Sequence, residues 1–206
     1  VLSTHLSEVI SRHAHELYSR QDAKAFCDRI AQEHPRAVED LVPKLLSLAV
    51  VQKVLQNLLR EGVSIRDGAT IIEALGEAAG TSKNSVLLTE YVRQALRRTV
   101  VQPFLNSNGE LLAYIMDSSI EQVIESAVQH GEHNSVVALA PSSMRDLVGR
   151  LASKIDKRET AACVITSSGS RHFLRQMVEP ALPNIFFVGH NEVPAGVKVI
   201  SRGLIQ

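Results

Sequence analysis

The stretch from Leu55 to Leu75, LQNLLREGVSIRDGATIIEAL, decides the fold. It reads as one amphipathic helix, a four-residue break and a second amphipathic helix. Val51, Val54, Leu55, Leu58 and Leu59 form an apolar stripe, with Gln52, Lys53, Gln56 and Asn57 placed opposite. Gly62, just past Glu61, is the expected C-terminal cap. Ser64 and Asp67 stand three residues apart, the spacing a capping box requires, so the second helix is expected to open at Ser64. Ile65, Ala69, Ile72, Leu75 and Ala79 form its predicted buried face. Nothing in this segment is suited to bond-making chemistry, which points toward binding or assembly.

Working outward, helices are expected throughout the first half. An opening helix starts near Ser3 or Thr4 and carries Leu6, Val9, Ile10, Ala14 and Leu17 on one face. Residues 21–34 carry Ala23, Phe26, Cys27 and Ile30 at helical spacing, and Pro35 stops them. A short segment, 36–41, leads to a second break at Pro43. Asn84 opens a last helix with Leu88, Tyr91, Val92, Ala95 and Leu96, ended by Pro103.

After Asn106-Ser-Asn-Gly109 the pattern changes to alternating strands and helices. Strands are expected at 111–116, 136–139, 161–166, 185–188 and 197–200, and helices at 118–130, 141–158 and 170–178. That alternation predicts βαβ units and a largely parallel sheet. The expected class is α+β in two domains, a helical bundle followed by a small α/β domain, with the boundary near 103–109.

The chain has 206 residues, 45% apolar and 21% charged, an ordinary globular composition. Lys plus Arg (22) balance Asp plus Glu (22), and neither half is basic, so a phosphate-binding surface is not expected. Cys27 and Cys163 lie far apart with no CxxC spacing and are read as buried thiols in a reducing compartment. No apolar run is long enough to span a bilayer. The chain starts at Val1 inside a helical pattern, which reads as a piece of a longer protein.

Three constellations were weighed for chemistry. His13 and His15 are two apart on a helix and point to opposite sides, while Gly131 interrupts His130 and His133; no metal site and no cofactor are expected. Thr166-Ser-Ser-Gly-Ser170 lies between a strand and a helix, where amides could hold an anion, but it lacks the Walker lysine and the GxSxG elbow; an N-cap is the expected role. A helix-turn-helix over 51–79 is the remaining alternative. Its second helix holds Arg66 against Asp67, Glu73 and Glu77 and has no Lys, Asn or Gln to read bases, so nucleic acid is not an expected partner.

The segment LVPKLLSLAVVQKVLQNLLREGVSIRDGATIIEAL resembles the FHIPEP family, the large export-gate membrane proteins of type III secretion. VLSTHLSEVISRHAHELYSRQDA and FFVGHNEVPAGVKVISRG extend the resemblance to nearly the whole chain, and His190-Asn191-Glu192 is similar to the flagellar branch more than to the injectisome branch. The resemblance implies a non-enzymatic scaffold on the cytoplasmic face of the bacterial inner membrane, the fragment itself being soluble. It implies a homo-oligomeric ring in the intact protein that receives flagellar chaperone–substrate complexes and meets other export-apparatus subunits, including the export ATPase complex. Residues 1–18 would close a first cytoplasmic subdomain, 19–103 form a helical third and 104–206 an α/β fourth. Thr4, in Val1-Leu-Ser-Thr4-His-Leu6, matches one residue of the chaperone dock and could equally serve as a helix N-cap. Ser64, Arg66 and Asp67 are expected to hold the bundle in shape.

One departure stands out. The family places a bulky apolar residue where this chain has Gly68. If Ser64 is the N-cap, Gly68 leaves Val63 without a staple partner, and Gly68→Leu is expected to stabilise the turn.

Overall fold

The computed structural model describes residues 13–156 and 159–206. The fold is α+β, as expected, and divides into two compact units, residues 1–96 with 132–134 and residues 97–131 with 135–206.

In the first unit, residues 13–17 are helical, and the rest of the predicted opening helix lies outside the described residues. Five helices follow: α1 (Arg20–Ala31), α2 (Pro35–Leu41), α3 (Leu48–Arg60), α4 (Gly68–Ala79) and α5 (Ser85–Ala95). Each start has a local cause. Ser19 caps α1 in a reciprocal box with Asp22, Ser47 caps α3, and Asn84 accepts from the Val86 and Leu87 amides to cap α5. Pro35 stops α1 as expected and also opens α2 from its first turn. Helix α5 packs on α3 and α4, and α1 on α2 and α3. Phe26, Leu41, Leu55, Leu58, Ile71, Leu75, Leu88 and Val92 form the shared core.

The polar face expected for α3 meets solvent at Lys53 but not along its whole length. Gln52 and Gln56 are half-buried and donate to the Tyr18 carbonyl at 3.1 and 2.9 Å. Asn57 is buried and donates to Thr89 Oγ1 at 3.0 Å. Because α1 and α5 flank α3 on two sides, its polar residues are drawn into hydrogen bonds with the neighbouring chain. Tyr91, placed on the buried face of α5 by periodicity, is 48% exposed, and the stripe runs through Thr89 and Arg93 instead.

The second unit opens with α6 (Arg97–Val101) and a 3-10 turn at 102–104. Then come β1 (Leu111–Met116), α7 (Ser118–Ala127), β2 (Val128–His130) and β3 (Ser135–Val137). The chain continues through α8 (Pro141–Lys154), β4 (Ala162–Thr166), α9 (Ser168–Val178), β5 (Ile185–Gly189) and β6 (Val199–Ile205). The main sheet has the order β5-β4-β1-β6, and every pairing in it is parallel. All five residues of β4 are buried, as befits a central strand covered on both faces.

Two expectations fail here. The helix predicted for 118–130 ends at Ala127, and Val128–His130 pairs antiparallel with Ser135–Val137 as a separate two-stranded ribbon. The final strand begins at Val199 and runs to Ile205, with an extra residue where Ala113 and Ile115 face Ser201 and Leu204. Gly203 takes a φ of +142° at this bulge, a value glycine adopts readily. Arg202 thereby lies over the Tyr114 ring, 5.5 Å from its centroid, and pairs with Glu159 at 2.7 Å. Tyr114 donates to Glu159 at 2.9 Å, and burial first, then that carboxylate, push its phenol up.

Candidate functional site

The break between α3 and α4 is built differently from its predicted form. Gly62, at φ +71°, follows the cap residue Glu61; its amide donates to Leu59 O at 3.0 Å, and the Val63 amide donates to Leu58 O at 2.9 Å. These are the two bonds of a Schellman ending, so the expected glycine cap is present.

The capping box at Ser64 is not. Helix α4 starts four residues later, at Gly68, with Asp67 as N-cap accepting from the Thr70 amide at 3.2 Å. Ser64 Oγ accepts from the Arg66 amide at 3.3 Å, a local turn that competes with helix. Arg66 is exposed, and its carbonyl accepts from the Gly68 amide at 2.9 Å. Of the three motif residues, Asp67 caps the helix while Ser64 and Arg66 shape the turn. The buried face shifts with the start, to Ile71, Ile72, Leu75, Ala78 and Ala79.

Gly68 is not a soft spot. It is buried at the first position of α4, and a Cβ there would stand 2.3 Å from Ile30 Cδ1, 2.8 Å from Ile30 Cγ1 and 3.2 Å from Phe26 Cε2. The glycine leaves room for the Ile30 side chain, which a larger residue would have to displace, and this runs against the expectation that one would help.

Beside this break lies an ion pair that the sequence reading passed over. Arg93 Nη1 meets Glu61 Oε2 at 2.8 Å, and their side chains are 3% and 7% exposed. The signal was Arg93's place on the apolar stripe of α5, four residues from Thr89, where a charge requires a partner.

The Thr166–Ser170 turn is occupied by side chains of α7. Ser167 is the N-cap of α9, as expected. Glu121 Oε1 accepts from the Ser167 amide at 2.7 Å and from Thr166 Oγ1 at 2.9 Å, and Glu125 accepts from Ser167 Oγ. An anion could bind these amides only by displacing a carboxylate. His190 Nε2 lies 3.8 Å from Glu121. Among the described residues no three His, Cys, Asp or Glu converge on a metal-sized site. Cys27 and Cys163 are buried and are not joined in a disulfide. Among the described residues no helix is long and apolar enough to cross a membrane.

Thr4 lies outside the described residues. Among the described ones, a cleft of about 270 Å³ lies between α7 and α8, with Ile120, Val123 and Ile124 on one wall and Asp146, Leu147 and Arg150 on the other. A cleft of this kind can take apolar side chains, and no arrangement of nucleophile, base and oxyanion donors accompanies it.

Comparison with known proteins bears on what such a surface serves. The FHIPEP family model matches residues 1–198. "Flagellar biosynthesis protein FlhA" of Bacillus subtilis is 35% identical over 209 residues, covering 100% of this chain and 31% of that protein. The chain thus spans about a third of the length of this curated relative. Among solved structures, the Chlamydia pneumoniae CdsV protein is 27% identical with a TM-score of 0.92, covering 98% of this chain and 59% of that one. CdsV in complex with CdsO gives 26%, 0.90, 98% and 60%. Nonameric EPEC SctV-C is 25% identical with a TM-score of 0.88, covering 99% and 62%.

Proposed function

Because this chain belongs to the FHIPEP family, we propose that it is a non-catalytic scaffold and docking region of a flagellar type III protein export gate. The observation that carries this reading is the family match along residues 1–198, joined to a fold that aligns over 99% of the chain with a nonameric SctV-C. The flagellar branch is favoured by 35% identity to a flagellar relative against 27% to CdsV.

On this reading the intact protein forms a homo-oligomeric ring at the cytoplasmic face of the inner membrane. The helical unit corresponds to the third cytoplasmic subdomain and the α/β unit to the fourth. Its partners are flagellar chaperone–substrate complexes and export-apparatus subunits, including the ATPase complex; CdsV, solved with CdsO, supports a protein-docking role. Thr4 contributes to the chaperone dock, whose remaining residues belong to parts of the relatives that this chain does not span.

The test is calorimetry with a flagellar chaperone–substrate complex. The chain alone binds weakly or not at all, and a longer piece extended upstream of Val1 binds tightly, losing affinity on Thr4→Asp. Tight binding by the present chain would overturn the assignment of the dock. In a gel shift across a salt series the chain leaves duplex DNA unshifted; a salt-sensitive shift would favour the helix-turn-helix alternative.

A further inference from the structure

Helix α7 buries little of its own surface and is tied to the head of α9 by two carboxylates. Of its ten residues Ile124 alone is buried, whereas α9 buries Ser170, Arg171, Phe173, Leu174, Arg175 and Val178. Two carboxylates one turn apart make up the difference. Glu121 accepts from the Ser167 amide and the Thr166 hydroxyl at 2.7 and 2.9 Å, and Glu125 accepts from the Ser167 hydroxyl. Thr166 and Ser167 are bound in turn to Ser170, each at 2.8 Å between hydroxyl oxygens. Hydrogen bonds to a charged acceptor are about twice as strong as neutral ones, so this network adds to the anchor that Ile124 provides.

Gly169 belongs to the same arrangement. A Cβ at that position would stand 2.8 Å from Glu125 Oε1 and 3.1 Å from its Cδ. Among the described residues His190 is the one basic side chain within 4.0 Å of either carboxylate, and it is 58% exposed. The neighbouring face of α7 carries Ile120 and Val123 into the cleft shared with α8, and Val123 is 56% exposed there.

We infer that Glu121 and Glu125 form a clasp that sets the width of this cleft. Closed, it holds α7 against the head of α9. Released, α7 moves away from α9 about its Asp117 cap, and the cleft that α7 walls on one side changes width. The elements that move in a protein come from those with little buried apolar surface, which describes α7 and not α9.

Amide hydrogen exchange on the whole chain tests this, with Glu121→Gln/Glu125→Gln keeping shape and removing charge. Exchange over 118–127 rises at least tenfold while the first unit and β4 keep their wild-type rates. The cleft probe 8-anilinonaphthalene-1-sulfonate gains fluorescence severalfold, and far-UV circular dichroism is unchanged. Gly169→Ala is the second variant. Gly169 stands in the first turn of α9, and the three atoms nearest an added Cβ all belong to Glu125, so faster exchange in α7 there reports displacement of Glu125. Exchange within twofold of wild type in both variants overturns the clasp. So does exchange that rises evenly through the unit with loss of dichroism, because the carboxylates are then general supports of the fold.

Discussion

Arg93 of α5 and Glu61 at the end of α3 meet at 2.8 Å with both side chains almost wholly shielded from water. The pair joins the two helices where the chain leaves α3 by its glycine ending. Taking one partner away strips this bond from a buried charge, which costs more than the pair's net worth.

Arg93→Ala therefore lowers stability by about 3–5 kcal/mol, and Glu61→Ala does much the same. Glu61→Leu combined with Arg93→Met recovers most of the loss, since two apolar groups need no counter-charge. Urea unfolding of the four proteins checks both statements. Equal stability of single and double variants would contradict them.

Gly68→Leu lowers the melting temperature. The space a Cβ would enter is already filled by Ile30 and Phe26, and overpacking a core costs about 1–3 kcal/mol. Calorimetric melting reads the sign directly, and a rise would restore the view that the turn lacks a staple.

Loss of the cap at Asp67 separates the two accounts of the motif. Asp67→Ala costs about 1 kcal/mol, because the Thr70 amide loses its acceptor. Ser64→Ala costs only about a few tenths, since Ser64 Oγ serves an exposed turn. A capping box starting at Ser64 would give comparable losses at both.

Tyr18 titrates late. Burial, with the nearby Asp22 charge, pushes its phenol from 10.0 up to about 12. A folded-state value above the unfolded one means its contribution to stability is complete below pH 10 and fades as pH rises through 12. The absorbance change at 295 nm near pH 12 loses one tyrosine's share in Tyr18→Phe, Tyr114 also being pushed up, and the wild type loses stability faster than that variant between pH 10 and 12.

The break at 61–67 separates what was legible from what was not. Gly62 was readable because a left-handed residue after an apolar stripe has few other uses. Ser64 and Asp67 had the spacing of a capping box, yet spacing cannot choose between a box and two separate turns. That choice is made where Asp67 caps α4, and the closeness of Ile30 to Gly68 beside it is a fact of packing. Strand Val128–His130 was read as helix for a similar reason: three residues carry too weak a period, and their pairing with Ser135–Val137 is not local.

The amino-acid sequence by itself determined the class of each half, the helix-to-strand change after Gly109, the central strands and the family of the chain. These follow from periodicity, turn residues and long specific motifs, all of which are local in the chain. Tertiary structure alone decided the Glu61–Arg93 pair, the burial of Asn57, the need for Gly68 and the carboxylates at Ser167. Each brings together residues at least 30 positions apart in the chain, and such contacts are set by how packed elements approach one another.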